Sequence, residues 1–333
     1  MKARFIFACW TLWIGVSALS PYRAHAQERV RAYYPGISGS QVPLFIASDL
    51  GLFKKRGLDV DVVFIRGASG TAAQLAGEVH FGIGQSFTAI AGALAGADTT
   101  IAGTYVNKLL YSFVTNPQIT RPSDLTGKKI GVQSIGGLNS ATVSMALKEW
   151  GIDESKVSIL RAGEIAPRLQ AVLAGNLDAT IVTTAEMRRA RAAGLHILAD
   201  LRSLKGSFPL ASVTVRKGYL QTKREVAKKF LMAFSEGIHV FQTDKEQGLK
   251  SVLKWMKISE RDAVEDIYQS FAPMMSLPPK TNLAGVQGVL DFLATSRAEA
   301  KKASPQDFVD EGILTELERE GFFKALLKEV KKP

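Results

Sequence analysis

The sequence predicts an α/β protein of two similar lobes, each a mostly parallel sheet flanked by helices, followed by a helical C-terminal annex. Three observations predict it. Short β-branched or aliphatic runs alternate with helix-period segments over the first two thirds of the chain. A helix-stop-to-strand signature recurs 98 residues after its first appearance. The last third then switches to helices with recognisable starts.

The N-terminus reads as a secretory signal. Lys2 and Arg4 supply a positive start, Phe5 to Leu19 form an apolar run, and Ala24-His25-Ala26 gives a small-x-small cleavage site. The run is shorter than the roughly 18 residues that read as a spanning helix. Cleavage would start the mature chain near Gln27 and leave 307 residues, enough for two core-bearing units. Cys9 is the only cysteine and lies too deep in the run for lipidation, so the mature chain would hold no thiol. Disulfides, Cys-ligated metals and a cysteine nucleophile are thereby excluded. Loss of Lys2, Arg4 and Arg23 lowers the formal charge from +11 to +8. The remaining Lys and Arg are spread along helix-like segments, which describes a solvated basic surface rather than a nucleic-acid face.

Val30 to Tyr34, Leu58 to Ile65, Val79 to Ile83 and Thr99 to Tyr105 read as strands. Val42, Phe45, Ile46, Leu50 and Phe53 keep a helical period between the first two, and Thr71 to Ala76 and Phe87 to Leu94 are further helices. Gln74-Leu75-Ala76-Gly77-Glu78-Val79-His80-Phe81 then matches Val172-Leu173-Ala174-Gly175-Asn176-Leu177-Asp178-Ala179. In both, a helix stops at a Gly suited to the left-handed C′ position and turns into a strand. Arg56-Gly57-Leu58-Asp59-Val60 and Trp150-Gly151-Ile152-Asp153 form a second such pair. Beyond residue 215, Thr222-x-x-Glu225, Thr243-x-x-Glu246, Ser259-x-x-Asp262 and Ser304-Pro305-x-Asp307 predict helix starts, in an annex expected to pack on the first lobe.

Motifs of chemistry are missing. His80, His196 and His239 lie in separate elements without metal-ligand spacing. No G-x-S-x-G elbow occurs, Gly127-Lys128-Lys129 fails as a P-loop, and Gly82-x-Gly84 lacks a third glycine. No catalytic residue, metal or cofactor is predicted. Ligand-cradling turns stand in their place. Val30–Tyr34 runs into Pro35-Gly36-Ile37-Ser38-Gly39-Ser40, and Lys129–Gln133 runs into Ser134-Ile135-Gly136-Gly137-Leu138-Asn139-Ser140, each before a helix. Small residues admit a ligand to the backbone, and the helix start offers free N–H groups to an anion. Both turns fall at carboxyl ends of strands, where parallel sheets bind ligands.

At these residues the chain resembles the substrate-binding proteins of the nitrate, aliphatic sulfonate, taurine and thiamine-pyrimidine ABC transporters, which share the type 2 periplasmic binding fold. The resemblance runs from about Arg31 to Val215. It rests on Pro43-Leu44-Phe45-Ile46-Ala47, Gly51-Leu52-Phe53-Lys54-Lys55-Arg56-Gly57-Leu58-Asp59-Val60, Leu75 to Phe81, Pro122-Ser123-Asp124-Leu125-Thr126-Gly127-Lys128-Lys129-Ile130-Gly131-Val132 and Leu173 to Ala179, in that order. It implies a signal peptide over 1–26, a first lobe from 27–115 completed by 212–333 with the C-terminal helices, and a second lobe of 116–211 inserted through a hinge. It also implies a periplasmic, monomeric solute-binding protein that hands a small anionic or heteroaromatic solute to an ABC permease in the inner membrane. Carried over by position, the pocket draws on Gly36, Ser38, Gly39, Ser40, Gln41, Gln85, Ser86, Ser134, Gly136, Gly137, Asn139, Thr183 and Thr184. Where many relatives carry a proline turn, this chain has Thr183-Thr184-Ala185-Glu186. Arg66, Tyr105 and Asn107 lie at or just past strand ends and are further candidates. Two other readings stay open: an accessory of a sensor, and an enzyme related to thiamine-pyrimidine synthesis, whose Cys-rich iron motif this chain lacks.

Overall fold

A computed structural model describes residues 27–66, 68–84, 86–183, 186–258 and 260–328. The expected signal segment lies outside them. Among the described residues, ten strands form two five-stranded sheets. The first contains β1 (Glu28–Tyr34), β2 (Leu58–Phe64), β3 (Phe81–Ile83) and β4 (Thr100–Val106); the second contains β5 (Tyr111–Thr115), β6 (Lys129–Val132), β7 (Ser158–Arg161), β8 (Ala179–Thr183) and β9 (His196–Asp200); β10 (Ala211–Val215) returns to the first. The orders are β2-β1-β3-β10-β4 and β7-β6-β8-β5-β9. The two plans are the same. In each, one strand is antiparallel to its neighbours, β10 in the first sheet and β5 in the second, and each of these is the strand by which the chain arrives from the other sheet. The 98-residue repeat is visible here: β3 and β8 hold the third place in their sheets, with Phe81 and Ala179 at equivalent starts.

Local chemistry accounts for the sheet edges. β2 reads LDVDVVF, and Asp59 and Asp61 face Arg29 and Arg31 in register on β1, at 3.9 and 3.6 Å. Exposed pairs of this kind add little stability, but they put charge on an edge that would otherwise invite another strand. β4, at the opposite edge, is buried along its whole length under Val309 and the helix Gly312–Arg319.

The annex divides between the two sheets. Helices Arg224–Thr243 and Lys245–Met256 pack on helix Val42–Asp49 of the first lobe, and Arg261–Phe271 packs on Lys245–Met256 and on the turn Gly39–Gln41. Phe81 and Phe230 stack with centroids 3.9 Å apart, Phe53 joins at 5.0 Å, and Trp255 stacks on Phe45 at 4.6 Å. Helix Leu283–Leu293 departs from the expected placement on the first lobe. Its Val286, Val289 and Leu290 share a buried cluster with Val143 and Leu147 of helix Leu138–Glu149, beside the second sheet, and with Ile90 of helix Ser86–Leu94, beside the first. Its apolar face therefore spans both lobes.

Two helix starts also differ from expectation. Thr222 ends a short helix and donates its hydroxyl to Gly218 O, so helix Arg224–Thr243 begins without a side-chain cap. Thr243 donates back to His239 O, and Asp244, one residue on, caps the next helix by accepting from Gln247 N. Hydroxyls within a helical turn bond the carbonyl four residues back when a better acceptor cap is adjacent. Ser304 and Asp307 form the predicted capping box, on a 3-10 turn, Pro305–Phe308. Ser259 lies outside the described residues.

The C-terminal helices are tied down by charge. Lys228 Nζ and Arg224 Nη2 donate to Glu316 at 2.6 and 2.8 Å, and they hold its carboxyl down to about 2. A carboxylate whose folded pKa lies below its unfolded one contributes stability that is complete above the unfolded value. That stability is lost as pH falls from about 4.5 toward about 2. Glu316→Gln is expected to flatten the melting temperature over this acid range, checked by thermal denaturation of both proteins across pH.

Candidate functional site

The carboxyl ends of the first sheet build one wall. β1 passes into Pro35, Gly36 and Ile37, and Ser38 caps a 3-10 turn, Gly39–Gln41, by accepting from Ser40 N at 3.4 Å. Pro43, in the first turn of helix Val42–Asp49, needs no donor there. Gly39 is packed under the annex: a Cβ there would lie 2.3 Å from the Phe271 ring. Behind this turn, Gly84 has φ +94° and lets the Gln41 amide and the Tyr105 hydroxyl approach, with a hypothetical Cβ only 2.9 Å from Gln41 Nε2. Gln41 Oε1 and the Tyr105 hydroxyl are buried without partners, and burial pushes the Tyr105 phenol far above its usual range.

Ser86 is hydrogen-bonded within the protein. It is 1% exposed and bonds Ser212 Oγ at 2.7 Å, which continues to Thr104 at 2.7 Å and Thr281 at 2.9 Å. This hydroxyl chain is satisfied internally and stitches β10, β4 and the 281 loop together. Gln85 lies outside the described residues. Asn107 is likewise structural. Its side chain donates to Lys280 O at 2.9 Å and accepts from Asn282 N at 3.0 Å, while Phe208 N and Leu210 N bond Asn107 O and Val106 O. The two segments that cross between sheets are thus fastened side by side. Arg66 turns its guanidinium over Phe64, 5.9 Å from the ring centroid.

The carboxyl ends of the second sheet build the facing wall. After β6, Gln133 to Gly136 are exposed, Gly136 has φ +74°, and Gly137 opens helix Leu138–Glu149. Ser140 Oγ donates to Ser134 O at 3.0 Å and fixes the turn. Asn139 is buried and points inward, where its Oδ1 accepts from Arg168 Nη1 at 2.9 Å. Beside it stands Tyr111, whose pKa burial pushes up to about 12 against smaller lowering effects of Arg168 and an Asn139 hydrogen bond. Tyr111 is the cross-strand partner of Thr183 at the end of β8.

The walls meet at a cavity of about 550 Å³. Ile37, Ser38 and Gly39 enter it from the first sheet, Thr183, Glu186 and Arg188 from the second, and Met256, Ile267 and Phe271 from the annex. Of the residues expected at the site, Ser38, Gly39 and Thr183 line this space, and Gly36 adjoins it in sequence. Ser40, Gln41 and Asn139 are buried, and neither they nor Ser134, Gly136 and Gly137 of the turn after β6 are among the cavity's lining residues. Thr184 lies outside the described residues. A second cavity, of about 990 Å³, lies between helices Leu138–Glu149 and Leu283–Leu293 and holds none of the expected residues.

Two functional candidates went unread in the sequence. Arg168, a helical arginine like many others, is revealed only by burial. Comparison of the repeats offered one signal, since Gly70 stands where Arg168 would be 98 residues earlier, with a Cβ there 2.2 Å from Tyr33. Arg188 reaches from the second sheet's helix Met187–Ala192 to Asp262 at 2.9 Å and Asp266 at 3.0 Å on the annex. Arg188 and Asp266 both line the cavity, so that pair joins its two sides. Arg188→Ala is expected to speed release of a bound ligand a few-fold at low salt and much less in high salt, because exposed pairs are weak and screened; stopped-flow release at two salt concentrations checks it.

Gly137→Asp is expected to abolish binding. Its Cβ would meet Ser134 Oγ at 2.5 Å, and its carboxylate would occupy the helix start that an anion needs. Titration calorimetry against a ligand of the wild type decides it.

Comparison with known proteins places these features in context. Among solved structures, the periplasmic aliphatic sulphonate binding protein SsuA from Escherichia coli is similar, with TM-score 0.72 and 18% identity over 85% of this chain and 92% of that one. The alkanesulfonate-binding protein SsuA from Xanthomonas axonopodis pv. citri, bound to MOPS, gives 0.62 and 15% over 83% and 95%. The periplasmic nitrate-binding protein NrtA from Synechocystis PCC 6803 gives 0.64 and 15% over 88% of each chain. At these identities the likeness establishes the periplasmic binding protein fold. A search of curated protein sequences finds no significant match. The family described as NMT1/THI5 like matches residues 39–247, more than half the sequence, and the chain belongs to that family.

Proposed function

We propose that this chain is the exported, periplasmic solute-binding component of an ABC importer. As a monomer it captures a small organic solute, anionic or heteroaromatic, between its lobes and presents it to the inner-membrane permease. The observation that carries the reading is the pair of strand-exchanged sheets whose carboxyl-end turns open into one cavity of about 550 Å³. Among the described residues, consecutive strands pass from one sheet to the other at two places, between Val106 and Tyr111 and between Asp200 and Ala211, and these segments lie side by side. A ligand touching both walls favours the closed arrangement by its extra contacts there, which is how hinged lobes respond to binding. The sulfonate- and nitrate-binding proteins of similar fold support this assignment.

No histidine among the described residues is bonded to the cavity's hydroxyls, Ser38 and Thr183, and of the lining carboxylates Glu186, Glu260 and Asp266, Asp266 is paired with Arg188. Among the described residues no group of three His, Cys, Asp or Glu is placed to hold a metal ion. A thermal-shift screen of the mature protein against nitrate, alkanesulfonates, pyrimidines and aromatic acids tests the function. A ligand of the folded state adds about 2.7 kcal/mol at a hundredfold excess over its Kd. The expected result is a clear upward shift with one class, and mass spectrometry recovering that compound unchanged. Conversion of the compound, or no shift across the screen, contradicts the reading.

A further inference from the structure

We propose that Arg168 is the charge receptor of this site, holding the oxyanion head of an organic acid against the second lobe. The inference rests on the solute-binding reading above and names its ligand class.

Arg168 projects from helix Ile165–Leu173 at the carboxyl edge of the second sheet and is 2% exposed. Nη1 donates to Asn139 Oδ1 at 2.9 Å, and Nε is buried with no partner. Among the described residues no carboxylate forms an ion pair with it. Glu164 and Glu186 act on it only from a longer range, and Glu164 Oε1 is taken by Gln133 Nε2 at 3.0 Å. A charge taken out of water without a counter-ion is costly, and arginine cannot relieve the cost by losing its proton. An anion arriving from the cleft would relieve it. The guanidinium offers that anion a planar edge of donors suited to two parallel hydrogen bonds.

The surroundings point the same way. Asn139, which orients Nη1, sits in the first turn of helix Leu138–Glu149, so the guanidinium and the N–H groups after Gly137 approach the same strand ends. Tyr111 interacts with this pair and is the cross-strand partner of Thr183, which lines the cavity. The rest of the lining sets the size and polarity of the ligand. The charged lining holds both signs, Arg188 and Arg189 beside Glu186, Glu260 and Asp266. A space of about 550 Å³ has Ile37, Met256, Ile258, Ile267 and Phe271 in its walls, which suit a carbon body. A bare nitrate or sulfate would leave those walls wet. The ligand class is therefore an organic oxyanion: a carboxylate, sulfonate or phosphate monoester.

The test compares acids with their neutral analogues on the mature protein: benzoate with benzamide, hexanesulfonate with hexanol, phenyl phosphate with phenol, and inorganic sulfate as the bare ion. Melting shifts identify binders, and calorimetry measures them on wild type, Arg168→Gln and Arg168→Lys. Expected is binding of at least one organic acid but not of its analogue, weakened about 100-fold by Arg168→Gln. Arg168→Lys is expected to weaken it about tenfold, since charge remains but the planar edge is lost. Wild-type affinity in Arg168→Gln overturns the proposal, as does equal binding of the neutral analogue or of sulfate. If Arg168→Gln does not fold, Asn139→Ala keeps the guanidinium but frees Nη1. A changed affinity for the acid alone supports the proposal, and no change overturns it. Binding of neutral compounds only would leave the solute-binding reading standing and remove Arg168 from it. No binding at all would remove both.

Discussion

Phe230→Ala is expected to destabilise the protein by about 3–5 kcal/mol, the range for truncating a fully buried aromatic ring. Phe230 is 0% exposed and stacks on Phe81 of β3 at 3.9 Å, with Phe53 at 5.0 Å and Phe234 at 6.3 Å. It thus joins the sheet, the helix Leu52–Lys55 and the annex in one core. Dispersion and burial are lost together, and the rings around it cannot collapse into the gap without leaving their stacked geometry. Urea unfolding followed through Trp255, which lies in the same cluster, reads the effect. A loss below about 1 kcal/mol, the size expected of a site away from the core, would mean that helix Arg224–Thr243 is not integral to the first lobe.

Gly237→Ala is expected to destabilise by about 2 kcal/mol despite a change that normally strengthens a helix. Alanine gains roughly 1 kcal/mol over glycine in a helix interior. Against this, a Cβ at Gly237 would lie 2.3 Å from Pro43 O and 3.1 Å from its carbonyl carbon. Both atoms are backbone, so no rotamer relieves the contact, and overpacking of this kind costs about 1–3 kcal/mol or more. Gly237 lets helix Arg224–Thr243 cross helix Val42–Asp49 at close range, and helix Val42–Asp49 continues directly from the Ser38 turn. The variant should therefore also weaken ligand binding, by displacing the first wall. Equilibrium denaturation and calorimetry on the same preparation separate the two effects; a gain in stability would contradict the packing described.

Much of the fold is legible because it depends on local signals repeated in order. Gly77 and Gly175, both with positive φ, stop equivalent helices just before β3 and β8, and the two Gly-Ser turns follow β1 and β6 where the pattern predicts. What resists reading is non-local. The exchange of β5 and β10 between sheets depends on pairing across about a hundred residues, and neither strand differs in composition from a parallel one. Helix Leu283–Leu293 carries the same apolar period as its neighbours, so nothing in it says which lobe it covers. The site divides along the same line. Ser38, Gly39 and Thr183 are readable as strand-end residues. Arg168, Gln41 and Tyr105 acquire their character only by burial, and the bond of Ser86 to Ser212, on a distant strand, has no local signal.

The central claim, that two lobes close on a solute, is tested most directly by a distance between them. Residues 27–333 contain no cysteine, so Arg66→Cys and Arg161→Cys place two spin labels at exposed positions on equivalent strand ends without competing thiols. Pulsed dipolar spectroscopy then reads the separation with and without a compound that raises the melting temperature. The account predicts a shorter and narrower distance distribution in the bound form. An unchanged distribution, with binding confirmed on the labelled protein, would contradict it.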